Sequence, residues 1–309
     1  MGRLEGILRD AVTSPAGSRG QDGEQQFPCY WTWKGIGAVK SKLVTADEAL
    51  SPVRDGACIA ANFWGPGTPM HLWRALFKLG VKDLTVCINN YVGKIVPLRE
   101  IGSPDPTLLL SRTRKIISAF SATPKDDPSA LTEITRRVTE GSLEFESVSH
   151  GILIERLLAG ALRQGGFFSP IGLGTTIEEG KEKRLINGVE YVLQEPLVPD
   201  VGLVAAAKAD TLGNLVYHGT ARANNPIIAM ASRYTVAEVF EVVEPGELDP
   251  DQILTPGIFI DRVVRIPPDD VASRERRMEW IRASVAYREQ KKLDEAAEIE
   301  AGKGKIYER

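Results

Sequence analysis

Two polar, glycine-containing stretches carry most of the residues in this sequence that could bind a ligand. The first is FFSPIGLGTTIEEGKE, residues 167–182, in which Gly172 and Gly174 precede Thr175. Glycines at this spacing let the backbone adopt a positive φ and approach a ligand closely, and the threonine hydroxyl can bind an anion or cap the next element. Glycine pairs are also common in tight turns. The pattern therefore predicts either a ligand-binding loop or a simple turn.

The second stretch is KADTLGNLVYHGTARANNP, residues 208–226. A turn containing Asn214 is predicted to separate two apolar runs, and Arg222 and Asn224 follow the second run. Amide, guanidinium and hydroxyl donors this close to a strand are more typical of a binding rim than of a solvated loop. In both stretches the strands leave a sheet and turn, which is where open α/β sheets bind their ligands.

Two shorter segments follow predicted strands. The loop NFWGPGTP, residues 62–69, contains Gly65 and Gly67 and precedes a helix, so its backbone amides could hold an anion or a thioester oxyanion. Asn89 and Asn90 follow the next predicted strand. Paired carboxamides at this position can anchor a loop or bond to a substrate carbonyl, and both interpretations stay open.

The order of elements around these loops predicts an α/β fold with an open, mostly parallel sheet and flanking helices. Residues 57–61 and 84–88 are short apolar runs typical of strands, and residues 70–79 have apolar side chains at helical spacing. A strand, a crossover helix and a second strand form one parallel unit. A further strand is predicted at residues 144–146, followed by a helix over residues 151–163.

His150 stands directly before that last helix. An imidazole can donate a hydrogen bond to a substrate carbonyl, and it can carry a proton near neutral pH. The alternative is a histidine that caps the helix or packs at its start. His71, in the first turn of a helix, and His218, between a strand and a polar loop, are not predicted to be catalysts.

Composition excludes several classes of function. The chain has 309 residues, a formal net charge of −3 and scattered basic residues, so no nucleic-acid or membrane surface is expected. The three cysteines, Cys29, Cys58 and Cys87, lack metal-ligand spacing and form an odd set, which predicts no metal site, no disulfide framework and a reducing compartment. The sequence shows neither a membrane span nor a secretory signal, and we expect a cytoplasmic protein.

These segments together resemble the α subunit of the class I coenzyme A transferases, the group that includes the 3-oxoacid and glutaconate CoA-transferases. The resemblance covers roughly residues 41–264 and also rests on VTADEAL, VRDGACIA, GVKDLTVCINN, HGILIERLLAGA, NGVEYVLQ and TPGIFIDRVV, in family order. Each motif alone is weak, but their order is specific. The resemblance implies an N-terminal extension over residues 1–40, an α/β domain over residues 41–266 and a charged helical tail over residues 267–309.

The family resemblance also implies a mechanism. Coenzyme A would be a thioester substrate, no metal would take part, and a homologous β subunit would supply the nucleophilic glutamate in a heterodimer or heterotetramer. The pair would move CoA from a donor such as succinyl-CoA or acetyl-CoA to a carboxylic acid in a catabolic pathway, and this chain alone would be inactive. His150 matches a family glutamine that polarises the thioester carbonyl. Asn62 and Phe63 stand where the family has two glycines, which implies a differently shaped acyl pocket.

The residues assigned to the site by this resemblance form two groups. Those expected at the acyl pocket and its oxyanion contacts are Gly65, Gly67, Asn89, Asn90 and His150. Those expected at the adjoining rim are Gly172, Gly174, Thr175, Asn214, Arg222 and Asn224. Two other functions remain open: a ring-opening CoA-thioester hydrolase or lyase on the same fold, and a non-catalytic scaffold subunit.

Overall fold

A computed structural model of the protein describes residues 40–62, 67–89, 108–119 and 128–270, together with the helical positions Arg282, Ala286, Glu289, Gln290 and Leu293. The predicted N-terminal extension and most of the predicted C-terminal tail lie outside the described residues. The domain boundaries at residues 40 and 267 therefore stay predictions.

Strands and helices alternate along most of the described chain. The strands are β1 (Cys58–Ala61), β2 (Leu84–Ile88), β3 (Thr113–Ser118), β4 (Glu144–Ser147), β5 (Phe167–Ser169), β6 (Lys183–Ile186), β7 (Val189–Gln194), β8 (Val201–Asp210), β9 (Leu215–Val216), β10 (Tyr234–Val243) and β11 (Arg262–Arg265). The helices are α1 (Ala46–Leu50), α2 (Met70–Leu79), α3 (Leu108–Ser111), α4 (Pro128–Thr139), α5 (His150–Ala161) and α6 (Asn225–Ala231).

Eight of the described strands form one sheet in the order β11, β10, β8, β1, β2, β3, β4, with β9 attached to β8. Neighbours along this order are parallel, and β9 is antiparallel to β8. Strands β5, β7 and β6 form a separate antiparallel sheet in that order. The predicted open, mostly parallel sheet with flanking helices is confirmed.

Helices cover both faces of the main sheet. On one face, α1 and α2 bury side chains such as Leu50 and Trp73, and on the other, α5 and α6 bury Leu153 and Ile228. Strand β8 has a nearly continuous apolar sequence because a parallel strand in the middle of such a sheet is buried on both faces. Among the described residues, no helix is both long enough and apolar enough to cross a bilayer.

Helix α2 begins and ends where the sequence predicts. Gly80 has a φ of 81°, and its amide donates to the carbonyl of Phe77, as expected of a glycine that ends a helix. At the other end, the fully buried Glu238 of β10 accepts a 2.9 Å hydrogen bond from the Leu72 amide. Because the first amides of a helix lack partners within it, this carboxyl group fixes the start of α2. It thereby also fixes the end of the loop that follows β1.

The central strands end at a common edge of the sheet. Ala61 is paired with Ile88, so Asn62 and Asn89 follow β1 and β2 side by side. Strand β4 runs parallel to β3, and β3 to β2, so α5 starts from the same edge with His150 as its first residue. This carboxyl edge brings together loops that are far apart in the sequence, as open α/β sheets commonly do around a ligand.

Candidate active site

His150 is the first residue of α5, so the helix begins one position earlier than the start predicted at residue 151. His150 is exposed, and its Nε2 lies 2.8 Å from the carbonyl oxygen of Asn89. Because a carbonyl oxygen only accepts hydrogen bonds, Nε2 carries a hydrogen and donates it. The helix is capped by Ser149, whose hydroxyl accepts from the Ile152 amide. The imidazole thus joins α5 to the end of β2, and Ser149 caps the helix.

The predicted pocket residues are only partly described. The structure brings Asn89 and His150 together, although Asn89 makes this contact with its main-chain carbonyl and not with the carboxamide that the sequence singles out. Gly67 lies in the loop after the neighbouring strand. Gly65 and Asn90 lie outside the described residues, and their roles stay predictions.

Gly67 occupies a site where no side chain fits. A Cβ on Gly67 would lie 2.4 Å from the carbonyl oxygen of Ala221, 2.9 Å from Nδ2 of Asn225 and 3.1 Å from Nδ2 of Asn62. Both asparagines are buried. Glycine is therefore required here for close approach of two backbone segments, which is a packing role that its position in the loop alone does not predict.

The turn that carries Arg222 packs against Gly67 through the carbonyl oxygen of Ala221. Arg222 is exposed and ends a short 3-10 helix formed by Gly219–Arg222. Asn224 immediately precedes α6 and is half-buried. Between them, Ala223 has φ 39° and ψ −130°, a backbone region that strongly favours glycine. The predicted rim is therefore a tightly constrained turn.

Asn214 has the hydrogen-bonding groups of its side chain engaged within the chain. Its Nδ2 donates to Oδ2 of Asp210 at 2.7 Å, and its Oδ1 accepts from the Gly257 amide at 2.7 Å. The Asn214 amide donates to Oδ1 of the same aspartate. These bonds shape the turn between β8 and β9, in agreement with the turn predicted there.

The segment with Gly172, Gly174 and Thr175 is a self-contained turn between β5 and β6. The Thr175 hydroxyl donates to the Gly172 carbonyl at 2.7 Å and accepts from the Ile177 amide at 3.2 Å. The Gly174 amide donates to Oε2 of Glu178 at 2.8 Å. Both glycines have positive φ, 98° and 72°. The segment forms a turn, and its predicted role in ligand binding stays a prediction.

The sequence model of one protein family, described as Coenzyme A transferase, matches residues 43–265. The chain belongs to this family. It is 39% identical over 227 residues to the alpha subunit of acetate CoA-transferase from Escherichia coli K12, covering 73% of this chain and 97% of that protein. It is 40% identical over 220 residues to the A-subunit of 3-oxoadipate CoA-transferase from Pseudomonas putida, covering 71% and 90%.

The fold agrees with solved CoA-transferase structures. Glutaconate coenzyme A-transferase from Acidaminococcus fermentans superposes with a TM-score of 0.58 at 19% identity, covering 74% of this chain and 76% of that one. The predicted class I CoA-transferase α-subunit type is confirmed, and the protein is an enzyme subunit of that type. Coenzyme A, bound as a thioester, is the substrate of CoA-transferases.

The two cysteines among the described residues of this CoA-transferase chain, Cys58 and Cys87, do not have the properties of nucleophiles. Burial raises the pKa of the Cys58 thiol to about 11, with a further contribution from Asp200. Burial also raises the pKa of Cys87 well above its usual value of 9.0. Both thiols are therefore protonated at neutral pH, and neither is a ready nucleophile. Within the described residues, no group of His, Cys, Asp and Glu side chains is placed to hold a metal ion.

A half-buried ion cluster holds α5, and with it His150, against the sheet. Arg156 of α5 forms a salt bridge with Glu146 of β4, and its Nε donates to the Glu195 carbonyl at 2.8 Å. The Nζ atom of Lys115, on β3, lies 2.9 Å from Oε2 of Glu146. Burial opposes ionisation of Glu146, but Arg156 and Lys115 outweigh it, so the pKa of this carboxyl is lowered. These charged contacts therefore connect α5, the helix that begins with His150, to strands β3 and β4.

The sequence alone does not reveal the importance of Asn225. It lies within a polar stretch in which Arg222 and Asn224 are the predicted site residues. In the structure Asn225 is fully buried, and its Nδ2 donates to the carbonyl oxygen of Gly67 at 3.0 Å. The sequence shows only an Asn-Pro pair, which is typical of a helix start. This pair does not predict that Asn225 contacts Gly67, which lies 158 positions away.

Proposed function

We propose that this chain is the α subunit of a CoA-transferase that moves coenzyme A from an acyl-CoA donor to a carboxylic acid acceptor together with a homologous β subunit. One observation carries the proposal: the chain is about 40% identical to CoA-transferase subunits named alpha or A and spans at least nine tenths of each. The two-subunit form follows from those names, and the assembly would be a heterodimer or a heterotetramer.

In the proposed reaction the β subunit supplies a glutamate as nucleophile. Its carboxylate attacks the thioester carbonyl and the CoA thiolate leaves, which forms an acyl-glutamyl anhydride. The thiolate then attacks the glutamyl carbonyl, releasing the acyl group as a carboxylate and leaving a glutamyl-CoA thioester. An acceptor carboxylate takes CoA by the reverse of these steps. Negative charge develops on a carbonyl oxygen at each step, so hydrogen-bond donors from this chain would stabilise it.

His150 is the donor that we assign to this oxygen. The Asn89 carbonyl oxygen accepts the hydrogen bond from Nε2 of His150. A hydrogen bond from His150 to a substrate therefore requires either a second proton on Nδ1 or exchange of the Asn89 contact for the substrate oxygen. We place Gly67 and the predicted Gly65 in the adjoining loop, and Arg222 at the rim.

The remaining rim residues support this arrangement less directly. Asn214, Gly174 and Thr175 use the hydrogen-bonding groups described above within the chain, so their assignment to substrate binding rests on the sequence alone. Asn224 lies beside Arg222 and belongs to the proposed rim. The unpaired thiols of Cys58 and Cys87 fit the proposed cytoplasmic location, because such a compartment is reducing.

Transfer can be tested with the complex purified from its native cells through this chain. The complex is given succinyl-CoA with acetate, acetoacetate or glutaconate, or acetyl-CoA with acetoacetate or glutaconate. The acyl-CoA products and free thiol are measured separately. We expect a new acyl-CoA to form in step with loss of the donor and without release of free CoA. The chain alone, as the control, should give no product.

Two results would contradict the proposal. Release of free thiol without a new acyl-CoA would indicate the hydrolase alternative, and a stoichiometric complex that leaves every thioester unchanged would indicate the scaffold alternative. Mass spectrometry of the partner after incubation with donor alone should also find CoA on a glutamate. Its absence from an active complex would reject the covalent mechanism.

A further inference from the structure

The buried side chain of Asn225 joins three separate parts of the carboxyl edge. Its Oδ1 accepts a 3.1 Å hydrogen bond from the Ala205 amide in β8. Its Nδ2 lies 3.0 Å from the carbonyl oxygen of Gly67 and 3.2 Å from those of Ala221 and Arg222, and the three acceptors share its two hydrogens. A single carboxamide therefore connects the central strand, the loop after β1 and the turn that carries Arg222.

The contact between the loop and the turn has no space for adjustment. The missing Cβ of Gly67 would lie 2.4 Å from the Ala221 carbonyl oxygen, so the two main chains touch. Ala223, two residues before Asn225, has φ 39° and ψ −130°. Such a backbone is costly for any residue except glycine, and it persists only when surrounding contacts impose it. The bonds from Asn225 to the Ala221 and Arg222 carbonyls are contacts of this kind.

We infer that Asn225 is a positioning residue of the acyl-CoA site, which sets the place of the Gly67 loop relative to the Arg222 turn. The inference rests on the proposed function, because the proposal places both segments around the thioester. Asn225 itself is fully buried and does not touch substrate. Loss of its carboxamide should therefore release both segments together, although they lie far apart in the sequence.

Two variants remove the link in different ways. Asn225→Asp keeps the acceptor for the Ala205 amide and removes the donor to the three carbonyl groups. Because an aspartate would bury a charge and could prevent folding, Asn225→Ser is measured beside it. The matched control is Thr235→Val, which removes the 3.1 Å hydrogen bond from Thr235 Oγ1 to the Ala229 carbonyl at the other end of α6.

The variants are compared as complexes with the β subunit, by hydrogen–deuterium exchange and by steady-state kinetics. We expect Asn225→Ser to speed exchange in peptides covering residues 67–70 and 219–225 together. We also expect it to lower kcat/KM for the acyl-CoA donor about tenfold, the effect of one lost hydrogen bond, with assembly unchanged. Thr235→Val should lower the melting temperature and leave unchanged both the exchange rates of these two peptides and kcat/KM.

Three results would overturn the inference. In Asn225→Ser, exchange could become faster only in residues 219–225, or it could become faster in both peptides while kcat/KM stays unchanged. The third result is an equal loss of kcat/KM in Thr235→Val. Exchange is measured without turnover. A wild-type complex that assembles but does not react would therefore reject the proposed function. Faster exchange of both peptides in Asn225→Ser would still show that Asn225 connects the Gly67 loop to the Arg222 turn. A transferring complex in which Asn225→Ser changes nothing would reject the inference and keep the function.

Discussion

At the scale of single residues, the contact between His150 and Asn89 leads to a clear prediction. Replacing His150 by alanine removes the proposed donor to the thioester oxygen, and we expect kcat to fall about 10²–10³-fold, as for loss of one oxyanion donor. Because His150 is exposed and Ser149 caps α5, loss of the bond to Asn89 should cost no more than about 1 kcal/mol of stability and leave binding to the β subunit intact. Steady-state kinetics and co-purification of the β subunit measure the two effects.

A conservative substitution at the same position separates donation from packing. Glutamine can donate a hydrogen bond but cannot carry a proton near neutral pH, so His150→Gln should restore most of the activity if donation is what matters. Activity as low as that of alanine would indicate that the proton is required. Wild-type activity in His150→Ala with normal assembly would remove His150 from the mechanism.

At the scale of elements, Gly160 determines how closely α5 approaches the segment after β7. A Cβ on Gly160 would lie 2.3 Å from the carbonyl oxygen of Leu197, and the Leu197 amide donates to the Arg156 carbonyl at 2.8 Å. We expect Gly160→Ala to destabilise the chain by about 1–3 kcal/mol, as overpacking in a well-packed core does. Urea unfolding measures this change.

The same helix provides a matched control in Gly151. No atom lies within 4 Å of a Cβ built on Gly151, so alanine there should be neutral or stabilise the chain by up to about 1 kcal/mol through its higher helix propensity. If both substitutions changed stability by the same amount, the close approach at Gly160 would not limit the packing of α5.

The elements are predictable where the signal is local, and the contacts between them are not. Helix α2 and strand β2 have the predicted limits because apolar spacing and Gly80 are properties of neighbouring residues. The predicted start of α5 is off by one residue, since Ser149 and His150 are both plausible caps in a sequence. The contacts of Asn225 and Glu238 depend on which strands become neighbours, and this information is absent from any single segment.

At the scale of the whole molecule, the cluster of Lys115, Glu146 and Arg156 joins the main sheet to the smaller one. Arg156 contacts Glu146 on β4, and it also donates to the Glu195 carbonyl next to β7. The pKa of Glu146 is lowered, because Arg156 and Lys115 outweigh the effect of burial. A carboxyl group with a lowered pKa in the folded state stabilises the fold above its usual pKa of 4.5, and this contribution is lost as the pH falls through the lowered value.

Glu146→Gln should therefore reduce the free energy of unfolding at pH 7 by about 2 kcal/mol, the value of a hydrogen bond to a charged partner. The difference from wild type should shrink below pH 4.5, where the unfolded wild-type chain also binds the proton. The control is Glu140→Gln, which removes an exposed partner of Arg136 and should change the free energy of unfolding much less, because water and salt screen an exposed ion pair. Urea unfolding between pH 3 and pH 7 measures both variants. If the difference in unfolding free energy between Glu146→Gln and wild type did not depend on pH, the carboxyl group would support the fold through its shape and not through its charge. The ion cluster would then not couple the two sheets.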